Sequence, residues 1–238
     1  MNKVVAAIII VVLGIGGVGT YIYLNLNSLV KEGIEVAGRD ALGVQVSVDQ
    51  VNISLLSGSG HISGLRIANP EGFSSARDAI SVDDIEVLLE ISSLTSNNIV
   101  IKNVILRAPE INYETTVLDS NLKQLQTYSN TEVSDLGAQE PESDAEPISV
   151  LIDHLEIHDA KIALVTPLLD KAIPLKLPFL EFNDLGKEED ASVQQIINKV
   201  LAGLNKALIP LIKENAGIGK QLKDAGSKLT DKLKGLFD

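Results

Sequence analysis

The sequence predicts an α+β protein, in which an N-terminal membrane helix precedes a curved, mostly antiparallel β-sheet of about eight strands and C-terminal amphipathic helices. Three observations lead to this prediction. An uncharged apolar run from Val4 to Leu24 is long enough to cross a bilayer. Apolar and polar residues alternate through much of residues 44–182, as they do in half-buried strands. Beyond residue 190 the apolar residues recur every three or four positions, as they do in helices.

Residues 1–26 form the predicted membrane anchor. Lys3 precedes the apolar run, and this flank favours a cytoplasmic N-terminus with the bulk of the chain outside the cytoplasm. A cleaved secretory signal is the alternative, but its apolar region is usually shorter, ~7–15 residues, and ends in small residues. Aromatic residues typical of a membrane interface end the run here. The residues chosen to represent the anchor are Val4, Ile10, Leu13, Tyr21 and Tyr23.

The anchor also contains a glycine pattern that resembles a nucleotide-binding turn. Gly14, Gly16 and Gly19 match G-x-G-x-x-G. That site requires a surface turn and an ordinary amphipathic helix after it, neither of which fits an apolar run. Small residues in a membrane helix instead let another helix approach closely, so we expect no nucleotide or other cofactor.

The remaining chain divides by composition. We expect a linking helix at 27–43, a β-sheet domain at 44–190 and an amphipathic helical tail at 191–238. Within the sheet domain, a flexible acidic loop is predicted at 129–147, because its centre holds six acidic residues, no basic residue and few apolar ones.

Overall composition restricts the core and the partners. Apolar residues make up 45% of the chain but aromatic residues only 3%, so the core must be aliphatic. There are no cysteines, and therefore no disulfide stabilises the fold. A net charge of −12 disfavours a nucleic-acid partner, whose phosphates would be repelled.

The strands follow from alternation bounded by turn residues. The alternation changes phase between Val48 and Val51 and again at Asp83-Asp84, which predicts a bulge or a bend at each point. Few helical segments separate the strands, so most pairs should be antiparallel. The predicted strands are 44–55, 61–68, 80–91, 99–107, 110–116, 148–158, 161–166 and 173–182.

Helices are predicted at three places in the later chain. Asp119 can cap a short helix that ends near Tyr128, and Ser192 can cap a longer amphipathic helix. Pro210 should kink or divide that longer helix near Ile209. A second, lysine-rich helix carries Leu222, Leu229 and Leu236, and it either packs on the sheet or lies on an anionic membrane surface.

These elements resemble, in the same order, the AsmA-like family of envelope proteins. The turn Leu65-x-Ile67-x-Asn69-Pro70-x-Gly72-Phe73 and the strand pair at Pro109 are the most specific pieces. The matching segments are LGVQVSVDQVNISLLSGSGHISGLRIANPEGF (42–73), AISVDDIEVLLEISSLTSNNIVIKNVILRAPEINYE (79–114), SNLKQL (120–125), IDHLEIHDAKIAL (152–164) and IPLKLPFLEFNDLG (173–186).

The resemblance implies a function in lipid handling. Large members of the family resemble repeating β-groove proteins, whose apolar channel holds lipid chains. For this chain, the resemblance implies a single-pass inner-membrane protein with a cytoplasmic N-terminus and a periplasmic domain. Its partner would be membrane lipid or another envelope protein. An anchored periplasmic scaffold with a closed core is the alternative. The candidate groove residues are Val87, Leu89, Ile101 and Ile157.

The predicted sheet is too small for transport across an envelope. Eight strands at ~4.8 Å spacing span about 35–40 Å, which is comparable with the thickness of one bilayer. We therefore expect a short cradle at the outer face of the inner membrane.

The sequence gives little support for catalysis or for a bound metal. His154 and His158 are four residues apart, but in an extended strand that spacing separates them by ~13 Å. We interpret them as surface histidines. The acids Asp83, Asp84 and Glu86 are interpreted as a solvated strand edge. No nucleophile motif is recognisable, so we expect a protein that is not an enzyme.

Overall fold

The computed structural model describes residues 24–74, 76–96, 98–116, 119–130, 149–166, 172–177, 179–187 and 192–214. Within these ranges lie three α-helices, one 3₁₀ helix at Ile91–Thr95 and two six-stranded mixed sheets. The α+β class is therefore confirmed. The helices are α1 (24–42), α2 (Asn121–Asn130) and α3 (Val193–Glu214).

The twelve strands are divided equally between the two sheets. Sheet A holds β1 (Val46–Ser47), β4 (Leu65–Ala68), β5 (Asp78–Val82), β8 (Glu110–Glu114), β10 (Lys161–Val165) and β11 (Ile173–Lys176), in that spatial order. Sheet B holds β2 (Gln50–Ile53), β3 (Ser59–Ser63), β6 (Asp84–Leu89), β7 (Asn98–Arg107), β9 (Ser149–His158) and β12 (Leu180–Leu185), in that spatial order.

The two sheets are built from the same six stretches of chain. Each stretch gives one strand to sheet A and one to sheet B, and the six lie in the same order in both sheets. We call them bent segments 1 to 6, and the line where they cross between the sheets the bend line. The bent segments are 46–53, 59–68, 78–89, 98–114, 149–165 and 173–185.

Hydrogen bonds continue across the bend line. Ala108 N donates to His158 O at 2.8 Å, and Lys161 N donates to the carbonyl of Pro109 at 2.9 Å. Leu177 N similarly donates to Ala160 O at 3.0 Å. The two sheets are therefore the halves of one hydrogen-bonded surface folded across its strands.

The prediction of a single sheet with about eight strands is wrong in its count. Four predicted strands, 44–55, 61–68, 80–91 and 173–182, are each broken at the bend line, which turns eight strands into twelve. The prediction of a bend near Asp49 and at Asp83 is confirmed, since β1 and β2, and β5 and β6, separate there.

The bend at Gly64 depends on the absence of a side chain. Gly64 has φ +64°, and a Cβ there would lie 2.1 Å from Oδ2 of Asp49. That same carboxylate accepts two hydrogen bonds from the Arg66 guanidinium, at 2.9 and 3.1 Å. The Arg66 hydrogen bonds hold the pKa of Asp49 below its ordinary value.

Two further bends use residues other than glycine at positive φ. Ala108 has φ +46° and Asp159 has φ +54°. Such conformations are costly for residues with a Cβ, and both occur where the bent segment crosses between the sheets.

Most strand pairs are antiparallel, as predicted, but bent segments 4 and 5 run parallel. β7 pairs with β9 and β8 with β10 in parallel register. A parallel pair requires a crossover connection, and α2 lies in this connection.

Three of the predicted helices are present, with shifted ends. The linking helix is described over 24–42 rather than 27–43. Asp119 does not cap α2, because the Oγ of Ser120 accepts from Lys123 N at 3.3 Å. Ser192 caps α3 as predicted, with its Oγ accepting from Gln195 N at 3.3 Å and its own N–H donating to Gln195 Oε1. The helix continues through Pro210 to Glu214, so of the two predicted outcomes, a kink or a division, the division does not occur.

Several predictions lie outside the described residues. They include the anchor residues Val4, Ile10, Leu13, Tyr21 and Tyr23, the acidic loop from residue 131 onward and the lysine-rich tail. The first two residues assigned to the acidic loop, Ser129 and Asn130, belong to α2 instead. Over the part of the chain that is described, no helix combines the length and hydropathy needed to span a membrane.

Replacing Gly64 with alanine should destabilise the fold by about 1–3 kcal/mol, because the new Cβ combines positive φ with a clash against Asp49. Gly72→Ala is the matched control: Gly72 also has positive φ (+92°), but nothing lies within 4 Å of its Cβ position. Chemical denaturation of the full chain in detergent measures the free energy of unfolding of both variants. Equal losses for the two variants would contradict the role of the Asp49 contact.

Candidate functional site

The inner face of sheet B, which carries Ile85, Val104 and Leu155, consists of apolar rows that cross the strands. Residues paired directly on neighbouring strands project to the same face, so the register determines which side chains meet. The rows are Ile62–Ile85–Leu106–Ile157–Leu180, Val87–Val104–Leu155–Phe182 and Leu89–Ile101–Ile152–Leu185.

All four groove residues predicted from the sequence belong to these rows. Val87, Leu89 and Ile101 are half-buried, whereas Ile157 is only 2% exposed. Leu89 pairs with Ile101 directly after a register shift between Leu88 and Leu89, and Ile101 still packs against the core although it lies three residues from Val104. Ile157 is therefore part of the packed interior, and the other three lie where the face is partly open.

Each row of the inner face of sheet B contains half-buried side chains. In the row nearest to the bend line, Ile85 and Ile157 are buried, whereas the other three residues are half-buried. In the row farthest from it, Leu89, Ile101 and Ile152 are half-buried, whereas Leu185 on β12 is only 4% exposed. In the farthest row, the incompletely covered apolar surface therefore lies on β6, β7 and β9.

The corresponding face of sheet A is covered along one row, although Leu65, Tyr113 and Ile173 beside that row are half-buried. One apolar row crosses all six of its strands, and only Ile67 in that row is not fully buried. α2 contributes Leu122 and Leu125 to the same core, and their exposed fractions are 0% and 1%. The row is Val46–Ile67–Ile80–Ile111–Ile162–Leu175.

α3 packs against β12, the edge strand of sheet B. Its backbone approaches so closely that a Cβ on Gly203 would lie 2.4 Å from Cε1 of Phe182. Two asparagines join α3 to α2: Asn198 Nδ2 donates to Ser129 Oγ at 2.9 Å, and Asn205 Nδ2 donates to Gln126 Oε1 at 2.8 Å. The paired helices therefore close the core on the β12 side.

α1 protects the opposite edge of the sheets with polar side chains. Three residues spaced four apart form one stripe along the helix, and each binds a backbone group of bent segment 1. Such contacts block pairing of an edge strand with another chain. The hydrogen bonds are Ile53 N to Asn27 Oδ1 at 2.9 Å, Val48 N to Glu35 Oε1 at 2.9 Å, and Lys31 Nζ to Asp49 O at 3.3 Å.

The outer face of sheet B is charged and carries all three histidines of the chain. His61 pairs with Glu86 in the register, and His158 pairs with Arg107. Arg107 makes a bidentate contact with Glu86 at 3.0–3.2 Å. Sheet B thus has one apolar face and one face that is rich in charged side chains, although Leu88 and Ile105 also lie on the second face.

Glu156 joins the two histidines that the sequence analysis placed on the surface. Its Oε1 lies 2.7 Å from Nε2 of His154, and its Oε2 lies 2.5 Å from Nε2 of His158. All three residues project to the outer face from alternate positions of β9. Both histidines are partly exposed, which agrees with their interpretation as surface residues.

This cluster changes two protonation equilibria. The hydrogen bond with Asn183 Oδ1, at 2.6 Å, and the one with Glu156 raise the pKa of His154 above its ordinary value. The hydrogen bonds from His158 and His154 lower the pKa of Glu156. The described residues include no group of three or more histidine, aspartate or glutamate side chains that could hold a metal ion.

Comparison of the chain with protein-family models, curated proteins and solved structures gave no match.

Sequence reasoning missed several residues that shape the site. The edge contacts of Asn27, Lys31 and Glu35 have backbone partners 13 to 26 positions away, and side-chain patterns carry no signal for these. The bend at Gly64 did have a signal, since the apolar phase changes between Ile62 and Leu65.

His154→Gln should reduce thermal stability more at about pH 5.5 than at about pH 8.5. A raised pKa means that protonated His154 stabilises the fold fully below its ordinary pKa of ~6.5, and that this contribution disappears as the pH rises through the raised value. Melting temperatures of the full chain and the variant at both pH values measure the effect. A difference that does not change with pH would contradict it.

Proposed function

We propose that this chain is a non-enzymatic, membrane-anchored envelope protein that holds or shields a lipid acyl chain on the inner face of sheet B. The proposal places it in the inner membrane as a single-pass protein, with a cytoplasmic N-terminus and a periplasmic sheet domain. Its role would be in support of outer-membrane or envelope biogenesis. Its partner is membrane lipid.

The observation that carries the proposal is the contrast between the two sheets. Five of the six residues of the sheet A row are buried, as are Leu122 and Leu125 of α2, whereas Val87, Leu89 and Ile101 in sheet B are half-buried. Contiguous apolar surface that the fold leaves incompletely covered is unfavourable in water, and larger exposed patches of this kind commonly mark binding sites. An acyl chain would cover it.

The dimensions of the open face suit one acyl chain. Alternate residues along a strand are ~6.6 Å apart, so the three rows and the Ile99–Val150 pair beyond them extend over about 20 Å. One leaflet of a bilayer core is about 15 Å thick. Across the strands, six segments span only about 24 Å, which supports local shielding of lipid rather than transport between two membranes.

The resemblance to the AsmA-like family supports the same function. The groove-forming sheets of this family are expected to be apolar on one face. Sheet B has such an apolar inner face, and its outer face is charged. Bent segments 1 to 6 run through the part of the sequence that carries the resemblance, residues 42–186.

A second candidate function rests on the packing of α3. This helix buries Ile196, Leu201, Leu204 and Leu208 in the core. If it leaves no space for lipid, the domain is an anchored scaffold that binds another envelope protein. Lipid retention distinguishes the two functions.

Leu89→Asp should lower phospholipid retention by about tenfold or more, because an acyl chain would have to cover an unpaired carboxylate. Leu88→Asp is the matched control, since the neighbouring Leu88 is 41% exposed and projects to the outer face. Native mass spectrometry of the full chain released from detergent measures phospholipid adducts on each variant.

The lipid proposal requires adducts on the unsubstituted chain and on Leu88→Asp, with loss on Leu89→Asp. Equal adducts on all three proteins would contradict it and favour the scaffold. Leu89→Trp provides a second test if Leu89→Asp does not fold, because it fills the open face without adding a charge.

A further inference from the structure

The hairpin between β2 and β3 holds a leucine in the solvent. Leu56 is fully exposed, at 101% of its reference area. Hairpin turns usually hold polar residues or glycine, and an apolar side chain at such a tip gains nothing from the fold. The hairpin also lacks any Asp, Glu, Lys or Arg from Gln50 to Gly60.

The hairpin tip, residues 54–59, is held in place by its own hydrogen bonds. Ser54 N donates to Ser59 O, and Gly58 N donates to Ser54 O, each at 2.9 Å. The Ser57 and Ser59 hydroxyls are 2.6 Å apart. Leu89 N donates to Gly58 O at 2.8 Å and so ties the tip to β6. Leu56 is therefore presented by a fixed turn.

The tip lies at the end of the molecule where α1 begins. α1 runs antiparallel to bent segment 1, because Glu35 contacts Val48 whereas Asn27 contacts Ile53. From the Asn27–Ile53 contact, the two segments extend toward the same end of the domain: α1 toward Leu24 and the hairpin toward Leu56. Leu24 is itself 73% exposed.

The chain that precedes α1 at this end is the apolar run of residues 4–24. A membrane that holds this run would lie against the same end of the domain. The open, far end of the inner face of sheet B, with Leu89 hydrogen-bonded to the tip, is at that end as well.

We propose that the hairpin tip is a second membrane contact, in which Leu56 enters the boundary between headgroups and acyl chains of the bilayer that holds residues 4–24. This inference rests on the membrane anchor of the proposed function. An uncharged tip with internally bonded serines carries little desolvation penalty. Contact at two points would orient the domain so that the open face of sheet B points toward the lipid.

The test places an environment-sensitive fluorophore at the tip. The chain contains no cysteine, so Leu56→Cys can be labelled uniquely with the fluorophore NBD. Leu88→Cys is the control, because it is also an exposed leucine but lies on the outer face of sheet B. Each labelled full chain is reconstituted into phosphatidylcholine liposomes with or without lipids that carry a doxyl quencher near the headgroup end of the acyl chain.

The inference predicts a blue-shifted emission and strong loss of fluorescence to doxyl lipid at position 56, and neither at position 88. A labelled chain that floats with the liposomes but is not quenched at position 56 would overturn the inference while leaving the anchor intact. A blue shift without doxyl quenching would also overturn it, because the fluorophore would then lie in apolar surroundings formed by protein rather than by lipid. A chain that does not float would overturn the inference together with the anchor.

Discussion

The bend line is the constraint on which the rest of the structure depends. Six segments cross it in one spatial order, and hydrogen bonds such as Ala108 N to His158 O keep the two sheets continuous. The bend requires backbone conformations that most residues avoid, at Gly64, Ala108 and Asp159. Because all six segments must bend where they cross this line, the positions of the bends determine the pairing register. The register in turn determines which side chains lie on the inner faces of both sheets.

The folded surface is covered unevenly, and its central row is more completely buried in sheet A than in sheet B. α2 lies over sheet A, α3 lies against the β12 edge of sheet B, and α1 binds the edge at bent segment 1 with a polar stripe. α3 contacts Phe182 on β12, and Leu89 and Ile101 on β6 and β7 remain half-buried. The lipid-shielding function that we propose would use this uncovered apolar surface, and the charged outer face keeps the other side of the same strands in water.

The sequence predicted the strand content well because alternation and turn residues are local signals. It located two of the bends through phase changes near Asp49 and Asp83, and it located the cap of α3 at Ser192. It did not predict twelve strands, because a bend that preserves hydrogen bonding to the next segment is a tertiary feature. Of the four groove residues, the one nearest to the bend line, Ile157, is buried in the packed core, and the local pattern around it does not differ from that around Leu89.

The most direct test of an open inner face is photo-crosslinking of the full chain in membranes of the cells that express it. A benzophenone amino acid is placed at position 89 or at position 88, two adjacent residues that project to opposite faces of β6. After irradiation, the account predicts a phospholipid adduct on the chain at position 89 and none at position 88, as measured by mass spectrometry. Absence of an adduct at position 89, or equal adducts at both positions, would contradict a lipid-binding face on sheet B.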